Sequence, residues 1–77
     1  MSRRKAFQTI DIDGRPWMVC DPESSTEAHE VAEKCGHDLS KVNVRAATPA
    51  EEAKLVTERM LAEREGRDPF KVFGTQL

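Results

Sequence analysis

Apolar and polar residues form two short runs near the start of the chain, and a turn signal separates them. The segment Phe7 to Cys20 contains Asp13-Gly14 between these runs. Both turn residues tolerate the positive φ that the central positions of a type I′ turn require. The pattern therefore predicts a β-hairpin.

The two-residue turn also predicts the register of the hairpin. It places Ile10 opposite Trp17, an aromatic and β-branched pair of the kind that stabilises a sheet. We therefore predict that this face forms the core, together with Ile12 and Val19. The opposite face is predicted to point outward, and its apolar residues are Phe7, Met18 and Cys20.

A short amphipathic helix is predicted after the hairpin. Ser24 and Glu27 have the spacing of a capping box, and Gly36 is expected to end the helix as its C′ residue. Leu39 is expected to fold back onto the apolar side. The apolar residues recur at i, i+3, i+4 and i+7, which are Ala28, Val31, Ala32 and Cys35.

Strict alternation over Lys41–Ala47 predicts a half-buried third strand. A second helix follows, with Thr48 as N-cap, Pro49 at N1 and Glu51 at N3, and it is predicted to run to about Glu65. Its predicted core stripe consists of Ala53, Val56, Met60 and Leu61. Its charges predict an ordinary surface of intrahelical ion pairs, such as Glu51/Lys54 and Arg59/Glu63.

The order of these elements predicts an α+β fold with ββαβα topology. A right-handed crossover through the first helix places strand 3 beside strand 1. The predicted sheet order is 2-1-3, with both helices on the Ile10/Trp17 face. Pro16 lacks an amide hydrogen, which agrees with an edge position for strand 2. The apolar segment 67–77 is predicted to be a fourth short strand, or a docked or swapped extension.

Composition limits the chain to one small domain. Its 77 residues are near the lower limit for a self-sufficient core, and we expect a domain at 6–66 preceded by a basic arm at 1–5. No apolar run has the length of a membrane span or of a secretory h-region. We therefore expect a cytoplasmic protein without membrane contact, whose two cysteines are free thiols.

The residues that could take part in catalysis or metal binding do not form a recognisable catalytic or metal site. Cys35 and His37 are close in sequence, but the end of a helix opposes a thiolate. Asp11 and Asp13 are explained by turn chemistry. A zinc set drawn from Cys20, His29, Cys35 and His37 has no familiar ligand spacing. The sequence therefore predicts no catalytic residue, no metal and no cofactor.

The favoured hypothesis is a small non-enzymatic module that binds a protein partner and occludes or scaffolds it. Its small size suggests a phage or mobile-element inhibitor of a host complex, and its small core suggests self-association. The predicted partner-binding residues are Phe7, Met18, Lys41, Arg45, Phe70 and Phe73. A predicted acidic patch on the first helix consists of Glu23, Glu27, Glu30 and Glu33.

The alternative hypothesis is nucleic-acid binding through the basic arm and an exposed sheet face. Arg3, Arg4 and Lys5 would contact phosphates, together with Lys41 and Arg45, and Phe7 would stack on a base. The sequence pI of about 5.6 weighs against this alternative, since nucleic-acid-binding domains usually have a net basic field.

Overall fold

The computed structural model describes residues 6–77, which form an α+β fold. The strands are β1 (Gln8–Ile12), β2 (Arg15–Cys20), β3 (Val42–Ala46) and β4 (Gly74–Gln76), and the helices are α1 (Ser25–Lys34) and α2 (Pro49–Arg64). Short 3₁₀ turns at Leu39–Lys41 and Pro69–Lys71 precede β3 and β4. The predicted basic arm at 1–5 lies outside the described residues.

The four strands form one antiparallel sheet in the order β3-β1-β2-β4. The predicted order 2-1-3 is contained in it, and β4 is the additional strand, paired with β2. Because β4 pairs only with Met18, Val19 and Cys20, it stops short of Pro16. Pro16, which has no amide hydrogen to donate, thus lies where β2 is paired only with β1.

The predicted hairpin turn is confirmed, but the register beyond it is not. Asp13 and Gly14 have φ of 54° and 78°, as a type I′ turn requires. The register then shifts by one residue, because Asp11 pairs with Pro16 whereas Ile10 pairs with Met18. Trp17 is the extra residue of a β-bulge.

This bulge overturns the predicted faces of the later β2 residues, whereas Trp17 packs against the core cluster of Ile10 as predicted. A shift of one residue moves every later side chain of a strand to the other face. Met18 and Cys20, predicted to point outward, therefore join Ile10 in the core cluster. Val19 moves to the opposite face with Thr9, and both of these residues are fully buried.

Helix α1 covers the face that carries Ile10. Its Ala28 belongs to the same core cluster as Ile10. Cys35 is exposed, so the prediction that it packs on the apolar stripe is wrong. Leu39 is 40% exposed, and its 3₁₀ turn contacts α1. The predicted helix end is confirmed, since Gly36 has φ of 85° and the His37 amide donates to the Ala32 carbonyl at 3.0 Å.

Helix α2 covers the opposite face, so the prediction that both helices share one face is wrong. Alternate residues of a strand point to opposite faces, and Thr9 therefore points away from Ile10. The Thr9 hydroxyl donates to Glu51 of α2 at 2.8 Å. The buried residues of α2 are Leu55 and Ala62. The sheet consequently lies between the two helices.

Candidate protein-interaction surface

The outer face of α2 carries the apolar residues that the sequence predicts to be core. Val56 is 45% exposed, Met60 is 63% exposed and Leu61 is 39% exposed. Met60 and Leu61 line a shallow depression together with Thr57 and Arg64. The predicted core stripe of this helix is therefore wrong, and an apolar strip faces away from the sheet.

Charged side chains hold the inner face of α2 on the sheet. Arg45 of β3 donates from Nε to Asp11 Oδ2 at 2.8 Å. It also donates from Nη1 and Nη2 to the two carboxylate oxygens of Glu51, at 2.9 and 2.8 Å. Glu51 Oε1 accepts further hydrogen bonds from Thr9 and from the Thr48 amide, each at 2.8 Å. This polar anchor joins β1, β3 and the first turn of α2.

The contacts of the anchor change the pKa values of its two principal members. The side-chain hydrogen bonds from Arg45 lower the pKa of Glu51 to about 2. Hydrogen bonds to Glu51 and Asp11 raise the pKa of Arg45 further above its usual range. Both groups therefore stay charged in the folded chain at neutral pH, which strengthens their hydrogen bonds.

Arg59 provides a second polar attachment, about two turns further along α2 than Glu51. Its guanidinium makes an ion pair with Asp21 at the end of β2, and its Nε donates to the Val72 carbonyl at 2.9 Å. The guanidinium carbon also lies 5.4 Å from the centre of the Phe7 ring, within cation–π range. The predicted intrahelical pairing of Arg59 is therefore replaced by contacts to three other segments.

Phe70 is the most exposed large hydrophobic residue among residues 6–77, with 94% of its surface accessible. It lies in the 3₁₀ turn Pro69–Lys71, which packs against α2. The Asp68 carboxylate accepts a hydrogen bond from the Phe70 amide at 2.9 Å. This cap and the preceding proline restrict the turn, so the aromatic ring is presented to solvent from a defined backbone.

The other predicted partner-binding residues lie in different environments. Met18 is only 6% exposed and belongs to the core. Phe7 and Phe73 are half-buried, and the guanidinium of Arg45 is held by two carboxylates. Lys41 is exposed. The predicted open sheet face is wrong because α2 covers it, so these residues do not form one surface.

The predicted acidic residues remain accessible to solvent. Glu23, Glu27, Glu30 and Glu33 are all exposed, and His29 within this helix donates from Nδ1 to the Ser25 carbonyl at 2.6 Å. Exposure alone is also what a solvated helix face would show. Binding of a basic partner by this patch stays a prediction.

The cysteines and histidines that the sequence offers as zinc ligands do not converge. Cys20 is buried, and this burial raises the pKa of its thiol to about 11. Cys35 is exposed and unpaired, and the His37 ring packs edge-on against Trp17 at 5.5 Å. Within residues 6–77, no three His, Cys, Asp or Glu side chains lie close enough to hold a metal ion together.

The outer residues of α2 are candidates that sequence reasoning missed. Their spacing marks one face of a helix, but spacing alone does not tell whether that face meets the sheet or solvent.

Among the described residues, no helix is long and apolar enough to cross a membrane. Comparison with protein-family models, curated proteins and solved structures finds no match for this chain.

Proposed function

We propose that this chain is a small protein-binding module without catalytic activity. Its contact surface for a protein partner consists of Val56, Met60 and Leu61 of α2 together with Phe70, and we call it the α2 surface. The observation that carries this proposal is the exposure of large apolar side chains on a helix whose inner face is attached by charged groups. An exposed apolar patch of this kind is typical of interaction sites.

The composition of the α2 surface suits a protein partner. Methionine is flexible and polarizable, so it adapts to an apolar partner, and an exposed aromatic ring can fill a pocket. The charged residues Glu63 and Arg64 line the same depression as Met60 and Leu61, and Lys54 is exposed on the same helix. An apolar centre with a polar rim is the usual arrangement in protein–protein interfaces.

Nucleic-acid binding receives less support from the same structure. Two carboxylates occupy the Arg45 guanidinium, which leaves Lys41 as the exposed cation of the predicted sheet-face set. The net charge of -2 also provides no general attraction for phosphates. Binding that occludes or scaffolds a protein complex is therefore the proposed mode of action. The phage or mobile-element origin of such an inhibitor stays a prediction.

The proposal can be tested by site-specific photo-crosslinking in the cell that produces the protein. A photoreactive phenylalanine analogue at position 60 or 70 is expected to trap the same protein partner. The analogue at position 15, exposed beside the hairpin turn and outside both the α2 surface and the acidic patch, serves as the matched control and is expected to trap none. Mass spectrometry of the trapped species identifies the partner.

A capture experiment then tests the contribution of each side chain. Met60→Glu and Phe70→Ser are each expected to reduce capture of the trapped partner at least about tenfold, since both remove anchors from an apolar contact. Arg15→Ser, outside the α2 surface and the acidic patch, is the control variant and should bind as the wild type does. Unchanged capture by both anchor variants would contradict the proposal, as would capture that nuclease treatment abolishes.

A further inference from the structure

The free edge of the sheet at β3 carries a specific set of unused backbone groups. Ala47 donates to the Phe7 carbonyl at 2.9 Å, and Asp13 donates to the Lys41 carbonyl at 3.1 Å. In the β1–β3 register these bonds mark the odd-numbered residues of β3 as the ones that face β1. The N–H and C=O groups of Val42, Val44 and Ala46 therefore point away from the sheet.

Two of these outward groups already have partners. The Val42 amide donates to the Leu39 carbonyl, and the Ala46 carbonyl accepts from Arg45 Nη1 at 3.2 Å. Within residues 6–77, no hydrogen-bond partner is found for the other four groups. These four are the amide and carbonyl of Val44, the amide of Ala46 and the carbonyl of Val42.

The β3 edge also lacks the usual features that prevent pairing between sheets. Edge strands are commonly protected by proline, by a bulge, by an exposed charge or by being very short. Strand β3 is five residues long, has no proline and pairs with β1 without a register shift. Its one charged residue, Arg45, turns toward Asp11 and Glu51. By contrast, β4 at the other edge has only three residues.

We propose that β3 pairs in antiparallel fashion with β3 of a second copy of this chain, with Val44 opposite Val44. In this register the two Val44 residues exchange both N–H···O bonds, as a hydrogen-bonded pair does. Each Ala46 amide then donates to the Val42 carbonyl of the other copy. All four unused groups of each copy are satisfied, and the groups that already have partners are not needed.

The side chains fit the same register. Val44 is 40% exposed and packs against Val44 of the second copy. Val42 lies opposite Ala46 of the second copy, on the same face of the sheet. Asn43 lies opposite Arg45 on the other face, so like charges do not meet. A shift of two residues in one direction would instead place Arg45 opposite Arg45. The backbone groups therefore specify the register, and the side chains are compatible with it.

The dimer has a continuous sheet of eight strands, four from each copy. The two-fold axis of the dimer is perpendicular to the sheet, so both α2 helices lie on the same side of the sheet. The α2 surface is not used in the contact, and the dimer presents it twice. One strand pair is a small interface, so the dimer is weak and its two partner sites gain from avidity.

Sedimentation equilibrium from about 10 µM to about 1 mM tests for the weak dimer. The wild type is expected to change from monomer to dimer over this range. Val44→Lys places two like charges opposite each other and is expected to raise the dissociation constant at least about tenfold. Gln76→Lys, on the opposite edge of the sheet, is the matched control and should dimerise as the wild type does.

A cysteine scan in a Cys35→Ser background tests the register. In a hydrogen-bonded pair the Cα atoms are about 5.5 Å apart, a distance that suits a disulfide. Val44→Cys is therefore expected to form a crosslinked dimer under mild oxidation, whereas Ala46→Cys is not. Protection of the wild-type Val44 amide from hydrogen exchange should also increase with protein concentration.

A wild-type protein that stays monomeric to about 1 mM, with no concentration-dependent protection of Val44, would overturn the proposed dimer. Efficient crosslinking through Ala46→Cys but not through Val44→Cys would overturn its register. Neither result bears on the α2 surface, because partner capture through Met60 and Phe70 is measured with variants that leave β3 intact. The two proposals can therefore fail separately.

Discussion

At the scale of single residues, Glu51 joins the first turn of α2 to two strands of the sheet. It is the N3 residue of the α2 capping box, it accepts from Arg45 of β3 through both oxygens, and it accepts from Thr9 of β1. Local sequence predicts the first of these roles, because Thr48 and Glu51 are three residues apart. The Thr9 contact joins residues 42 positions apart, and the Arg45 contact, although only six positions apart, requires β3 and α2 to pack together.

Glu51→Gln is expected to lower the free energy of unfolding at pH 7 by about 1 to 2 kcal/mol, because the charge-assisted bonds to Arg45 weaken. Glutamine retains the capping box, so the change isolates the charge. The pKa of Glu51 falls from 4.5 to about 2 on folding. Its stabilising contribution is therefore present above about pH 4.5 and is lost as the pH falls toward 2.

Urea unfolding of the wild type and the variant between pH 2 and pH 7 measures this effect. The difference between the two proteins should shrink as the pH falls below about 4.5. Glu52→Gln changes the neighbouring carboxylate and is the control, with an expected change within about 0.5 kcal/mol. A difference that stays constant down to pH 2 would contradict the role of the ionised Glu51.

At the scale of elements, α2 shows that two faces of a helix can both look like a core face. The outer strip has the larger apolar residues, but the inner face has Leu55, Ala62 and the charged groups that reach the sheet. The sheet offers Val19 as an apolar contact on this side, and Asp11 and Arg45 as polar ones. The inner face is complementary to both kinds of group, and the outer strip is not.

Alanine substitutions on the two sides of α2 test which face is buried. Leu55→Ala removes a fully buried side chain and should lower the free energy of unfolding by about 2 to 5 kcal/mol. Met60→Ala should change it by less than about 0.5 kcal/mol. Denaturant unfolding followed by Trp17 fluorescence measures both. A cost for Met60→Ala as large as that for Leu55→Ala would show that the helix is turned the other way.

At the scale of the whole molecule, the C-terminal segment completes the sheet. The Phe73 carbonyl accepts from the Asp21 amide, and the Leu77 amide donates to the Trp17 carbonyl, each at 2.9 Å. Gly74 makes this approach possible, since a Cβ there would lie 2.7 Å from the Val19 carbonyl oxygen. Phe73 then packs against the core cluster. The tail thus covers one edge of β2 and leaves β3 as the longer free edge.

Gly74→Ala is expected to displace β4 from β2, because the added methyl group meets backbone that cannot move independently. The free energy of unfolding should fall by about 1 to 3 kcal/mol, and hydrogen exchange of the Asp21 amide should accelerate. Gln76→Ala on the same strand is the control and should leave both quantities nearly unchanged. Normal protection of the Asp21 amide in Gly74→Ala would contradict the tight approach.

The positions of the helices and the hairpin were predictable from sequence, because each depends on interactions within a few residues. Asp13-Gly14 specifies its turn, Thr48 begins α2, and Gly36 ends α1. Of the residues in the α2 surface, only Phe70 was predicted as a contact. The others were missed because their helical spacing is equally compatible with a core face.

The sequence by itself determined where the helices, the hairpin turn and β3 form and, through the crossover rule, that β3 lies beside β1. Only the tertiary structure decided which faces are buried. One extra residue at Trp17 exchanges the faces of β2, and that exchange moves Val19 to the side that α2 then covers. The bulge depends on pairing and packing across the whole sheet, so no local pattern in the chain specifies it.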